Sequence, residues 1–311
     1  MKMPIPLVSL LIALSVALVA CQSNPTRSAA ADPAASGQRI WFDGLYDNNE
    51  QAAQTGASGA PRVQFEITPL HLPGWYAWNV RLIGGAGVSA TWAMQSFKSI
   101  NGSLTMTPYR SITPDPAFGK AFDPEKWIAL DGCALHGSAV ADGLKVAASL
   151  ASCSTLAPGI GTSAALLPLS IEHDGESLRV RLYADQARGP DARADARKVV
   201  WYSGWAAING AGPNAKPEGT DWHMSRDLHI GNEGGVASLK WRDGQGSGYS
   251  LKLERATYRD GNVPVLKLSV IEDASRHAIA YAWANPEATR IGINLGWVQV
   301  GLDVAPALPA R

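Results

Sequence analysis

Four dipeptides, Asn101-Gly102, Asp142-Gly143, Asp174-Gly175 and Asp260-Gly261, constrain this chain more than any other feature. Asn or Asp followed by Gly supplies the positive φ angles that a tight turn between antiparallel strands requires. The turns are flanked by runs rich in β-branched, aromatic and other apolar residues, the pattern of paired strands. Strands are expected at 62–70, 75–83, 90–100, 103–109, 144–150, 166–172 and 177–185. More follow at 250–259, 263–272, 278–283 and 292–300. One short helix is expected over 44–54, with Asp47 as N-cap and Glu50 three residues on. Many short strands with close turns and little helix predict an all-β fold, an antiparallel barrel or sandwich. The polar stretch 210–219, rich in Gly and Pro, reads as a domain boundary, with a further strand-rich block over 220–304.

The N-terminus carries an address. Lys2 precedes an uncharged apolar run that ends in Leu18-Val19-Ala20-Cys21. Small residues ahead of a Cys are what lipoprotein signal peptidase requires, and the run is too short for a comfortable membrane span. Residues 1–20 are expected to be a signal peptide, and Cys21 to be the lipidated first residue of the mature chain. Several acyl chains on one Cys give stable anchoring, so the membrane is an expected partner. Gln22, where an Asp would favour inner-membrane retention, points to the outer membrane facing the periplasm. Residues 21–37, rich in Ala, Ser, Pro and Asn, have no apolar period and read as a flexible tether.

Composition excludes some partners. The chain has 27 bases and 27 acids, and loss of Lys2 with the signal leaves it near neutrality. With no basic stripe or charge block, nucleic acid is not an expected partner. Cys21 being taken by lipid, Cys133 and Cys153 remain as a pair in an oxidising compartment, where a disulfide is expected.

Motifs that specify a reaction are missing from the sequence. There is no Gly-x-Ser-x-Gly elbow, phosphate loop or dinucleotide fingerprint. Asp221, His223, Asp227, His229 and Glu233 would hold a metal only if their segment curled, and the His spacing is not that of one helical face; no metal is expected. Two strands are more suggestive. Trp75, Tyr76, Trp78 and Trp92 lie on neighbouring expected strands, either as an aromatic wall of a pocket or as plain core. On 177–185, Leu178, Val180 and Leu182 form one face and Arg179, Arg181 and Tyr183 the other. Pointing inward, the latter would receive ligand carboxylates; pointing outward, they form a solvated face.

The segment Trp41-Phe42-Asp43-Gly44-Leu45-Tyr46-Asp47-Asn48-Asn49-Glu50-Gln51-Ala52 resembles the opening of the CpcT/CpeT family of chromophore lyases. Pro69-Leu70 with Gly74-Trp75-Tyr76 is similar to its next strand pair, and Gly132-Cys133 with Cys153 to its Gly-Cys … Cys signature. Residues 178–185 and 199–204 look like its closing strands. The resemblance covers roughly 37–212 and implies a calyx-like antiparallel β-barrel, often dimeric, over 38–212. Its best-known members bind a linear tetrapyrrole and deliver it to a Cys of a phycobiliprotein. Here the strand aromatic is followed by Trp78-Asn79 rather than Glu-Gln, and an expected lipid anchor is far from antenna assembly. Three readings follow. The first is an envelope lipoprotein binding a small hydrophobic or tetrapyrrole-like ligand through Trp75, Tyr76, Trp78, Trp92, Arg179, Arg181 and Tyr183. The others are a structural or assembly lipoprotein without ligand, its second block a partner-binding surface, and a bilin lyase, for which no catalytic residue is identified.

Overall fold

The computed structural model describes residues 42–306 except 56–58, 85–86, 114–117, 119–120, 141–142, 217 and 259–262. The expected signal peptide, Cys21 and the tether lie outside the described residues, as do Asp142 and the Asp260-Gly261 turn.

Strands β1 (Gly44–Asp47), β2 (Val63–Pro69), β3 (Trp75–Leu82), β4 (Ser89–Lys98), β5 (Ser103–Ser111) and β6 (Trp127–Ala129) come first. β7 (Leu135–Val140), β8 (Gly143–Ala148), β9 (Pro168–His173), β10 (Ser177–Leu182) and β11 (Ala194–Lys198) follow. Ten of them close into an antiparallel barrel, β1-β2-β3-β4-β5-β7-β8-β9-β10-β11 and back to β1. β6 pairs with β5 beyond the end of β7. Closure removes the exposed edges that an open sheet would offer. The expected turn glycines Gly102 and Gly175 have φ of 83° and 99°, a region that costs glycine nothing. Gly137 in β7 meets a different demand, since a Cβ there would lie 2.0 Å from the Lys145 carbonyl oxygen on β8.

Two helices interrupt the strands. Residues 44–54 are not one helix, because Gly44–Asp47 is paired on both sides as β1. Helix α1 is only Asn49–Thr55. Asp47 does not cap it but binds Arg62, through Oδ2 at 2.8 Å from Nη2. Helix α2, Leu150–Ile160, lies where the sequence pattern shows only the end of a strand. Its N-cap Ser149 accepts a hydrogen bond from the Ser152 backbone N–H. Cys153 of α2 is fully buried with the barrel core and disulfide-bonded to Cys133.

The remaining strands are β12 (Trp201–Asn209), β13 (Trp222–Gly231), β14 (Glu233–Lys240), β15 (Gly246–Tyr258), β16 (Val263–Glu272), β17 (His277–Ala284), β18 (Arg290–Asn294) and β19 (Val298–Ala305). They form two four-stranded sheets, β13-β12-β19-β18 and β14-β15-β16-β17. Tyr202, Ile208, Val298 and Val300 of one sheet pack with Leu251, Leu253, Leu266 and Leu268 of the other in a single core. That is a β-sandwich. The unit boundary therefore falls at Val199-Val200, not at 210–219. β12 has its partners β13 and β19 inside the sandwich, so 199–204 does not close the barrel. The Gly- and Pro-rich stretch is the β12–β13 connection. The single strand expected over 292–300 is instead the β18–β19 hairpin, turning at Gly296 with φ 83°.

Buried charge joins the two units. Arg197 of β11 donates to Glu233 of β14 through Nη2 at 2.8 Å and Nε at 3.1 Å, and also binds Glu50 of α1. Arg62 donates to the Glu233 backbone carbonyl at 2.7 Å, and the Val200 N–H to the Asn232 side chain at 2.8 Å. The Glu233 side chain is only 1% exposed. Burial outweighs Arg197 and raises its pKa to about 7. Burial works against the Arg197 charge too, but Glu233 and Glu50 more than offset this and hold it protonated.

Candidate recognition surface

The expected ligand-binding residues divide between opposite sides of the barrel wall. Strand alternation turns Tyr76, Trp78 and Val80 of β3 inward, with Trp92 and Met94 of β4 beside them. Trp78 and Trp92 are direct cross-strand partners, 0% and 2% exposed. Phe42 packs on Tyr76 and Trp78 with centroids 5.0 and 6.0 Å apart, and Phe65 on Trp78 at 6.0 Å. Leu104, Met106, Leu135 and Leu144 complete one continuous cluster. The aromatic wall is thus part of the hydrophobic core cluster, its rings in contact with one another along neighbouring strands. Trp75 takes the other face, outside the barrel, against Phe122 and Tyr109 at 5.2 and 4.7 Å.

The polar face of β10 points outward. Leu178, Val180 and Leu182 are in the core. Arg179 meets Asp174 at 3.3 Å and Glu172 and Asp195 at 4.0 Å, in solvent. Arg181 reaches the Gly189 carbonyl at 3.4 Å. Tyr183 stands past the end of β10 in a 3-10 turn, lining an apolar outer cleft with Ala157, Pro158 and Gln186. The inward carboxylate cradle is not formed, because Leu at 178 and 182 and Val at 180 claim the interior.

One polar cluster does sit in the barrel. The Gly175 N–H donates to His173 Nδ1 at 3.3 Å, so the neutral ring carries its proton on Nε2 and donates it to the Tyr46 hydroxyl at 3.1 Å. Burial, opposed in part by Asp174, lowers the His173 pKa and keeps it neutral. The pair is a satisfied core bond.

The residues weighed as metal ligands scatter. Asp221 is held by Arg242, His223 faces Trp241, and Glu233 is bound to Arg197. His229 stacks on Trp201, centroids 4.6 Å apart, with Nδ1 2.8 Å from Ser203 Oγ. Among the described residues no three His, Cys, Asp or Glu side chains are arranged so that they could hold a metal ion. Burial lowers the His229 pKa, but among the described residues no carboxylate orients its ring, so there Ser203 and His229 make a pair without the third member of a nucleophilic triad. Clefts of about 330 and 360 Å³ flank the 199–200 connection, and their charged linings are largely the paired groups of the joint.

The outer face of the β14-β15-β16-β17 sheet is different. β17 reads Ile279-Ala280-Tyr281-Ala282-Trp283-Ala284. Ala280, Ala282 and Ala284 face the sandwich core, while Ile279, Tyr281 and Trp283 are 43%, 56% and 42% exposed. The large side chains are in water and the small ones inside, the reverse of what burial of apolar area favours. Tyr281 and Trp283 have ring planes 16° apart with centroids 5.2 Å apart, and Tyr258 of β15 adjoins Trp283 at 4.3 Å. Register places Ser269 opposite Tyr281 and Lys267 opposite Trp283. Beside this ledge lies a depression of about 500 Å³, lined among others by Lys252, Glu254, Lys267, Ser269 and Asp273. Glu254 bridges Lys252 and Lys267. The sequence signal was present in the Ala–aromatic alternation, but periodicity alone assigns the aromatics to the core.

Comparison with known proteins found no matching family model, curated protein or solved structure.

Proposed function

We propose that this protein is a lipid-anchored envelope binding protein without catalytic activity. In this reading the barrel is a packed scaffold, and the outer face of the C-terminal sandwich makes the contact. The observation that carries the reading is the inverted burial of β17, with Tyr281 and Trp283 exposed and Ala280, Ala282 and Ala284 partly buried against the core. Apolar rings exposed together on a rigid sheet are the usual mark of an interaction surface. The inward packing of Phe42, Phe65, Tyr76, Trp78 and Trp92 against one another in one hydrophobic cluster supports this reading over a calyx for a tetrapyrrole. The Cys133–Cys153 disulfide fits an oxidising compartment, and the signal and Cys21 supply the anchor. The CpcT/CpeT resemblance then stands for the barrel architecture rather than for bilin transfer.

The test is retention of the chain from Gln22 onward, made without the signal and the lipidated Cys21, on washed envelopes from its own cells. Trp283→Ala and Tyr281→Ala are expected to abolish retention, and Arg179→Ala to leave it intact. Retention unchanged in both aromatic variants, or a Soret shift on adding haem to the wild type, would overturn the reading.

A further inference from the structure

We infer that the Tyr281–Trp283 ledge and the depression beside it bind an uncharged polysaccharide chain, specifically the glycan strands of the cell wall. This rests on the reading of that face as the recognition surface, and names what it recognises. A pyranose ring presents C–H groups on its faces and hydroxyls around its rim. Its complement is an exposed aromatic ring next to a floor of fixed donors and acceptors.

Both halves are built here on neighbouring strands. Tyr281 and Trp283 supply the apolar faces. The floor carries Ser269, a lining residue 1% exposed, whose buried Oγ has no hydrogen-bond partner among the described residues. A buried hydroxyl left unpaired is costly, and a ligand hydroxyl would satisfy it. Beside it, Ser250 Oγ donates to Asp273 Oδ1 at 2.6 Å, which fixes a carboxylate as an acceptor at the rim. The charges of the floor, three cations and two carboxylates, nearly balance. Glu254 is shared by Lys252 and Lys267, and Lys267 also lies over the Tyr281 ring, 5.4 Å from its centroid. Arg276 and Asp273 supply one more charge of each sign. A nearly neutral floor of spoken-for charges suits a ligand of hydroxyls and amides better than a phosphate or a polycation. An open, shallow surface suits a chain that passes across it rather than a small molecule that must be enclosed.

The test is co-sedimentation of the full-length protein, in detergent, with intact purified wall sacculi, from which soluble uncharged N-acetylglucosamine oligomers are expected to release it. Wild type is expected to pellet with the glycan. Trp283→Ala should weaken binding at least about tenfold, as truncation of an aromatic anchor does. Ser269→Ala separates a binding role from a structural one. Removing an unpaired buried hydroxyl should leave urea stability unchanged or raised, yet weaken glycan binding about three- to tenfold. No co-sedimentation, or binding untouched in Trp283→Ala, overturns the proposal. If whole envelopes retain the protein through Trp283 while purified sacculi do not, the ligand is not glycan and only this inference falls. If neither retains it, the underlying reading falls too.

Discussion

Replacing Glu233 with Gln should flatten the dependence of stability on pH. Glu233 is buried between barrel and sandwich, and its pKa is raised from 4.5 to about 7. Burial is the largest cause, opposed by the Arg197 hydrogen bonds and charge. Unfolding returns the carboxyl to water and to its ordinary value. Between those two values the native state holds a proton that the unfolded state has lost, so stability falls as pH rises. A shift of that size is worth about 3 kcal/mol in full, of which about 2 kcal/mol lies between pH 5.5 and 8. His173 and His229 act in the opposite sense. Burial lowers both of their values, so their contribution grows as pH rises toward 6.5. The wild-type curve alone therefore mixes signs, and the difference between wild type and Glu233→Gln isolates the carboxyl.

Urea unfolding followed by tryptophan fluorescence at pH 5.5 and at pH 8 measures it. Relative to the Gln variant, wild type should lose about 2 kcal/mol on going to the higher pH. The variant keeps Glu50 on Arg197, so the buried guanidinium is not left unpaired. Its absolute stability can move either way, because replacing one partner of a buried pair changes desolvation and attraction together. Parallel curves for the two proteins, or a wild type that gains on the variant at pH 8, would refute the assignment of a raised pKa to this joint.

Other outcomes follow from the same structure. Cys133 and Cys153 close a loop with a sequence separation of 20, so reduction, or Cys133→Ala with Cys153→Ala, should cost about 3 kcal/mol in urea unfolding. Trp78→Ala should cost about 3–5 kcal/mol by emptying the barrel core, and any folded fraction should retain envelope binding. Arg179→Ala should change stability by less than about 1 kcal/mol, because its ion pairs are in solvent, with its side chain 40% exposed.

The sequence disclosed the strands and the turns far better than it disclosed the site, and particular residues show why. Leu178, Val180 and Leu182 alternate with Arg179 and Arg181 in a chain that buries its apolar face, so β10 and its neighbours are legible from period alone. Asn101-Gly102 and Asp174-Gly175 are legible because their backbone demand is local. Helix α2 is not, since Pro158 and Gly159 near its end argue against a helix that packing and the Cys153 disulfide hold in place. The unit boundary is hidden for a related reason. Val199-Val200 looks like strand, and only the pairing of β12 with β13 and β19 separates it from the barrel.

On β17 the rule that reads the other strands gives the inverted answer. Burial of the larger apolar area would put Tyr281 and Trp283 inside and Ala280, Ala282 and Ala284 out. In the structure Leu266, Leu268 and Val270 of the adjoining strand stand opposite Ala284, Ala282 and Ala280, and the alanines share their core-facing layer. A strand that needed only to finish a sandwich would carry polar residues on its solvent face. Aromatic rings there contribute little to the fold and raise the hazard of self-association at a sheet edge. Such a liability persists where the rings make a contact outside the chain, which is the reason β17, rather than the tryptophan-rich barrel, is proposed as the recognition surface.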